Sequence, residues 1–337
     1  MSQSPEIDHA LALLRAGQVI GLPTETVYGL AADASDEAAI KKIYELKGRP
    51  ADHPLIVHIA PPSLKDKDSE EAWSLALQPW ARDIPEEALV LAKTFWPGPL
   101  TMVLTKAKQV SPLVTGGQDT VAIRCPNHPV AIDLLKQWGK GLVAPSANRF
   151  GKVSPTCAQD VLDEFPRQDL FVIDGGACQV GIESTIIDLT RVEQLGPRLL
   201  RPGMLTEDTI LQALSLVAKE SDDSSPVPRV SGSLSAHYAP KTPLILRDRN
   251  TVLPDLNHKK VAYVSLGLDP QPFAQASELT LLEWGLNPAK YAQQLYRVLR
   301  DFDKENYDYI IFDEPPHAQQ WLAILDRLKR AARGSGH

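Results

Sequence analysis

The apolar run Val19-Ile20-Gly21-Leu22 stops at Pro23, and two hydroxyls and a carboxylate, Thr24, Glu25 and Thr26, follow at once. A buried strand that ends at a polar pocket has this pattern, and it restricts the chain to folds whose strands run into a site. Lys47-Gly48-Arg49-Pro50 then supplies two fixed cations, and Pro145-Ser146-Ala147-Asn148 a loop of neutral hydrogen-bonding groups. Positive charge beside hydroxyl and amide donors suits a phosphorylated ligand.

Periodicity predicts helices over 7–16, 37–46, 86–95, 129–138, 158–164 and near 206–218. It predicts strands over 19–22, 54–59, 100–105, 120–124, 142–144, 171–174 and 184–189. Ser35 or Asp36 is the expected cap of the second helix, and Trp96-Pro97-Gly98-Pro99 ends the third. The first two hundred or so residues mix strands and helices without one repeated period, which reads as an α/β domain with a twisted mixed sheet.

At 337 residues, two domains are the default. After the helix near 206–218 the chain becomes Ser-, Asp- and Pro-rich, as in Glu220-Ser221-Asp222-Asp223-Ser224-Ser225-Pro226, and 219–235 reads as a linker. Strands over 243–246, 260–264 and 309–312 then alternate with helices over 288–301 and 319–332, the pattern of a small parallel α/β domain. The expected division is 1–205, a helix and linker over 206–240, and 241–333.

A net charge of −7 argues against a protein whose main task is gripping nucleic acid, while a local basic pocket for a small anion is allowed. The N-terminus carries no signal-peptide pattern, and no apolar run approaches eighteen residues, so a membrane location is not expected. Cys125, Cys157 and Cys178 have no zinc-ligand spacing, and an odd count suits a reducing cytoplasm. No Walker motif, Gly-x-Ser-x-Gly elbow or His-Glu-x-x-His helix is present, so covalent catalysis has little support.

Lys47 and Arg49, around Gly48 and before Pro50, are expected on extended chain, both pointing to one side. There they would clamp a triphosphate; the alternative is a solvated helix C-terminus. Ser146, Asn148 and Ser154 follow a buried strand, where α/β folds place ligands, or form an ordinary turn. Arg124 ends an apolar strand and needs a carboxylate, either an Asp or Glu of the protein or that of a substrate. His58 is a core histidine or a catalyst. Ser184, after a Gly-rich turn, reaches the same pocket or caps the turn.

The order of Pro-Thr-Glu-Thr-Val-Tyr-Gly-Leu, Lys-x-Arg-Pro, Pro-Leu-Ile-Val-His, Trp-Pro-Gly-Pro-Leu-Thr, Val-Ala-x-Arg, Ala-Pro-Ser-Ala-Asn, Glu-Ser-Thr-Ile-Ile and Leu-Leu-Arg-Pro-Gly resembles the YrdC-like domain of threonylcarbamoyl-AMP synthases, over about 5–205. His237-Tyr238-Ala239-Pro240 and the α/β tail resemble the long, two-domain form of that family. The resemblance implies an N-terminal YrdC-like α/β domain, a linker reaching over the active site, and a small Rossmann-like C-terminal α/β domain. It implies a nucleotidyltransferase that condenses L-threonine, bicarbonate or carbon dioxide, and ATP into threonylcarbamoyl-AMP and pyrophosphate. That product would serve threonylcarbamoyladenosine modification of tRNA beside the anticodon, through downstream transferase proteins.

By the same resemblance Thr26, His58, Arg124, Ala144 and Ser184 would hold threonine. Arg49, Thr120, Ser146, Asn148, Ser154, Arg201, His237 and Tyr238 would hold ATP, with Lys47 and Arg49 the catalytic cations. Magnesium on the phosphates is implied by the chemistry. The chain departs from the family in two places: His53 stands where an Asn often contacts ATP, and the linker reads Ser231-Gly232-Ser233-Leu234-Ser235-Ala236. A nucleic-acid-binding module, with salt-sensitive RNA binding, is the reading from a different class. A carbamoyl-transfer maturation factor, which shares the domain, would need zinc-finger and acylphosphatase segments that this sequence does not show.

Overall fold

The computed structural model describes residues 4–63, 65–216 and 227–336, so the acidic first half of the expected linker lies outside the described residues. Two compact units emerge. The first is 1–150, 155–179 and 183–233; the second is 151–154, 180–182 and 234–337.

Eight strands build the first unit: β1 (Ile20–Leu22), β2 (Gly29–Asp33), β3 (Ile56–His58), β4 (Leu100–Thr105), β5 (Thr120–Arg124), β6 (Leu142–Val143), β7 (Thr185–Asp188) and β8 (Arg198–Arg201). They lie in the order β1-β2-β6-β3-β5-β4-β7-β8. β3 runs parallel to β5 and β4 parallel to β7, while β4–β5 and β7–β8 are antiparallel, so the sheet is mixed as its irregular period implies.

The central strands are buried on both faces, and alternation sorts their side chains. Val57, Met102, Leu104, Val121, Ile123 and Ile187 point into the main core beneath the helices. Ile56, Val103, Ala122 and Ile186 form a smaller apolar patch on the opposite face. That second face carries the candidate site.

The helix Glu37–Lys47 shows why the local sequence folds as it does. The Asp36 carboxylate accepts from the Ala38 and Ala39 N–H groups and caps it, and Ile40, Ile43, Tyr44 and Lys47 make its buried stripe. Gly48, left-handed at φ 61°, stops it. Lys47 and Gly48 therefore leave a helix end, and the extended chain expected at this point is corrected to a glycine C-cap.

Two other expectations change, and two elements were not expected. The run over 171–174 forms no named strand. It touches β1 through one bridge, Gly21 with Val172, because Gly175 and Gly176 turn the chain away. The helix near 206–218 is shorter, Glu207–Ala213. β2 and the helix Glu70–Leu77, the latter capped by Ser69, were not anticipated.

The second unit holds four parallel strands, β9 (Leu244–Arg247), β10 (Lys260–Ser265), β11 (Glu278–Glu283) and β12 (Tyr309–Asp313), in the order β11-β10-β12-β9. The helices Pro288–Lys304 and Leu322–Gly334 pack with it. This is the parallel α/β unit that strand–helix alternation predicts; β11 escaped notice because it is an edge strand whose residues are mostly exposed. Among the described residues no helix is long and apolar enough to cross a membrane.

Candidate active site

Register places six polar residues around the apolar patch. His58 on β3 pairs with Arg124 on β5, and Arg124 pairs with Thr101 on β4. Thr101 pairs with Ile186, and Ile186 with Arg201 on β8. Directly paired residues share a face, so these side chains and those of Thr120 and Ser184, an even number of residues from Arg124 and Ile186, ring Ile56, Val103, Ala122 and Ile186. Val230, from the described part of the linker, packs onto the same patch.

Two guanidinium groups of this face meet at one linker residue. Arg201 donates from Nε and Nη2 to the Ser184 carbonyl (3.1 and 2.9 Å) and from Nη2 to the Ser184 hydroxyl (3.0 Å). The same hydroxyl lies 2.7 Å from that of Thr101. Arg49 donates from Nη2 to the Pro54 carbonyl (2.7 Å) and from Nη1 to the Ser231 hydroxyl (3.3 Å). Arg201 Nη1 donates to the Ser231 carbonyl (2.9 Å), so both guanidinium groups meet one linker residue.

Lys47 is buried, which removes the solvated helix end as its reading. Its ammonium donates to the carbonyls of Ser146 and Asn148 and so ties down the Ser-Ala-Asn loop. Burial, and then the nearby Arg49 charge, push its pKa well below the usual lysine range. Asn148 is buried in that loop, and its amide donates to the Arg149 carbonyl (2.7 Å). His53 is half-buried, its ring 5.1 Å from that of Phe150, and burial and then Arg49 lower its pKa.

Arg124 is a second centre of polar contacts on this face. Nη1 donates to the Thr26 hydroxyl (2.8 Å) and Nε to the Gly98 carbonyl (3.3 Å). Nη2 lies 2.7 Å from Oε1 of Glu25, so of the two partners considered for this arginine the structure supplies the protein carboxylate. Thr26 also touches the Thr24 hydroxyl at 3.0 Å, while Thr24 donates to the Val27 carbonyl and holds the turn after β1. His58 is buried beside Arg124, and burial, then that charge, bring its pKa down to about 3. It is a neutral imidazole at physiological pH. The Ala144 N–H donates to the Ile56 carbonyl and brings the loop before Ser146 against β3.

Ser154, His237 and Tyr238 belong to the second unit. There Arg300 donates to the Ser154 carbonyl (3.4 Å), and the Tyr238 ring stacks on Tyr296 with the Arg327 guanidinium 5.2 Å above it. Tyr238 has φ 60°, and the His237 Nδ1 accepts its N–H.

Sequence reasoning put Glu25 at the polar pocket without giving it a role, and missed Thr101 and Ser231 as members of the site. Glu25 was readable from its place between two threonines at a strand end. Thr101 was hidden in an apolar strand, and Ser231 in a linker read by composition alone. Among the described residues no group of three or more His, Cys, Asp or Glu stands ready for a metal ion.

The eight-stranded mixed sheet, with buried arginines gathered on one face, defines an α/β protein of the kind built around a sheet-face site. The family model described as "Telomere recombination", covering the Sua5, YciO and YrdC proteins, matches residues 12–203. The model "Threonylcarbamoyl-AMP synthase, C-terminal domain" matches 198–333, and the chain belongs to the two-domain threonylcarbamoyl-AMP synthase family. The threonylcarbamoyl-AMP synthase of Pyrococcus abyssi is 38% identical over 96% of this chain and 93% of its own length. That of Bacillus subtilis is 38% identical over 99% and 94%. The crystal structure of P. abyssi Sua5 complexed with L-threonine superposes with TM-score 0.80 at 36% identity, covering 99% of this chain and 96% of that one. A variant of the same protein, with an adjacent histidine and tyrosine changed to alanine, gives 0.76.

Proposed function

We propose that the chain joins L-threonine, bicarbonate or carbon dioxide, and ATP into threonylcarbamoyl-AMP, releasing pyrophosphate. The observation that carries the reading is one sheet face on which three buried arginines, Arg49 and Arg201 meeting at Ser231 and Arg124 beside Thr26, gather around an apolar patch. The full-length relatives of the same name support the assignment.

In this reading the threonine carboxylate lies on Arg124 beside Thr26. His58, neutral, and Ser184 offer hydrogen bonds to its hydroxyl, and Ala144 forms the wall. The threonine ammonium gives one proton to solvent, and the free amine attacks carbon dioxide and releases a second proton to solvent, giving a carbamate. A carbamate oxygen then attacks the α-phosphorus in line, and pyrophosphate leaves. Arg49 and Arg201 neutralise the charge that grows on the leaving group, with Thr120, Ser146, Asn148, Ser154, His53, His237 and Tyr238 as further ATP contacts. Lys47 acts by fixing the 146–148 loop. The reaction asks for positioning and charge neutralisation rather than a strong protein base.

Magnesium would arrive on the phosphates as part of the nucleotide. The cationic donor set of Lys47, Arg49 and Arg201 does not suit a resident metal, and no step here depends on one. The product would pass to threonylcarbamoyl-transfer proteins acting on tRNA, in the cytoplasm; any direct RNA contact would be weak and salt-sensitive.

The test is pyrophosphate release by purified protein with ATP, magnesium and bicarbonate, with and without L-threonine. Release that requires L-threonine is expected. Release indifferent to it, from folded protein, would overturn the reading.

A further inference from the structure

Glu25 is the least satisfied charged group on the site face. It is 3% exposed, and its partner Arg124 is 4% exposed. Their closest approach, 2.7 Å, is an ion-pair distance. Yet neither Oε1 nor Oε2 of Glu25 receives a directed hydrogen bond among the described residues, and Nη2 of Arg124 makes none either. A carboxylate accepts about four hydrogen bonds when satisfied. Leaving a charged acceptor bare costs at least the roughly 1–3 kcal/mol of a neutral one. A buried carboxylate with open acceptor sites calls for a further donor, and a bound ligand is one that supplies it.

The missing partner must be a donor, and preferably a cation. The residues around the pair do not provide it. Arg124 has already committed Nε to Gly98 and Nη1 to Thr26, and its charge faces Glu25 without aligned N–H groups. Thr24 is tied to the Val27 carbonyl at 2.6 Å. Polyphosphate is excluded by sign, since Glu25 repels it. A neutral pair of opposite charges, with acceptor sites open on one member and N–H groups open on the other, complements a molecule that is itself a neutral pair.

We infer that Glu25 is a binding residue for the α-ammonium group of the amino-acid substrate, and that Glu25 and Arg124 together read the zwitterionic head. The inference rests on the proposed function, in which threonine lies on Arg124. It adds a residue and a selection rule: the site admits an α-amino acid and rejects the corresponding carboxylic acid that lacks the amine.

The experiment begins with the unaltered protein. Calorimetric titration compares L-threonine with 3-hydroxybutanoate, which keeps the carboxylate and hydroxyl and lacks the amine. L-Threonine is expected to bind about tenfold to a hundredfold more tightly, the worth of a hydrogen bond to a charged group. Equal binding of the two acids overturns the inference. If L-threonine itself does not bind, the proposed function fails instead, so the two failures are distinguishable.

Glu25→Gln supplies the second arm. It keeps the shape and removes the charge. The KM for L-threonine should rise by a similar factor, the KM for ATP should stay within about twofold, and the preference over 3-hydroxybutanoate should shrink. A Glu25→Gln enzyme with normal L-threonine KM overturns the inference. A purely structural role would instead lower the melting temperature and weaken both substrates together. Should the variant not fold, the comparison on unaltered protein still decides.

Discussion

Arg49 and Arg201, far apart in sequence, converge on Ser231: Arg49 Nη1 meets its hydroxyl at 3.3 Å and Arg201 Nη1 its carbonyl at 2.9 Å. Two like charges approach only where acceptors hold each one, and the Pro54 and Ser184 carbonyls do so. Removing either guanidinium should cut kcat/KM for pyrophosphate release by about a hundredfold or more, as loss of a charge-neutralising donor does. Because they share a partner, Arg49→Ala and Arg201→Ala should not add in the double variant. Initial-rate kinetics on the two single variants and the double variant would show this; full additivity would mean that the two groups act apart.

Lys47 serves the loop rather than the solvent. Lys47→Met keeps the stem and strips the ammonium, leaving the Ser146 and Asn148 carbonyls without their donor. A loss of about 2–4 kcal/mol in stability is expected from two orphaned buried acceptors. Urea unfolding reads it directly. An unchanged midpoint would show that the loop holds its shape without the lysine.

His58 gives the protein a pH signature. Its folded pKa is depressed to about 3 from an unfolded value near 6.5, so the unfolded chain binds a proton that the native one refuses. Its contribution is fully present above about pH 6.5 and is lost as pH falls toward 3, at up to about 1.4 kcal/mol per pH unit. Denaturant titrations from pH 7 to 4 should show that slope, reduced in His58→Gln. An imidazole that titrates near 6.5 in NMR spectra of the folded protein would contradict it.

Gly203 follows β8, and a Cβ there would lie 2.3 Å from the Thr185 nitrogen and 2.6 Å from its hydroxyl. Backbone cannot give way cheaply, so Gly203→Ala should push the end of β8 off β7 and carry Arg201 away from Ser184. We expect a loss of about 1–3 kcal/mol, read as a lower melting temperature, together with a raised KM for ATP. A variant that melts normally and binds ATP normally would show the contact to be slack.

Much of this was legible in the sequence, for identifiable reasons. β4, β5 and the helices Glu86–Phe95 and Pro129–Trp138 fall at the positions that periodicity predicts, because breakers such as Pro97 and Gly139 bound them. β2 was not legible: Gly29–Asp33 is a run of small residues whose strand identity comes from pairing with β1 and β6. Arg124 could be found as a charge at the end of an apolar strand, but its partner could not, since pairing Glu25 with Arg124 requires the whole sheet to form. Ser231 was invisible for the same reason. Its role is fixed by two arginines from distant elements, and a polar linker residue carries no mark of that.

The second unit has a consequence for how such a chain is inherited. Residues 151–154 and 180–182 belong to it, although they are encoded well before the C-terminal stretch that supplies the rest. The Ala239 N–H donates to the Gly151 carbonyl, Arg300 donates to the Val153 carbonyl, and Gly181 lies against the backbone of Gln293. A gene fragment beginning at Leu234 would therefore encode an incomplete body, lacking one of its own walls.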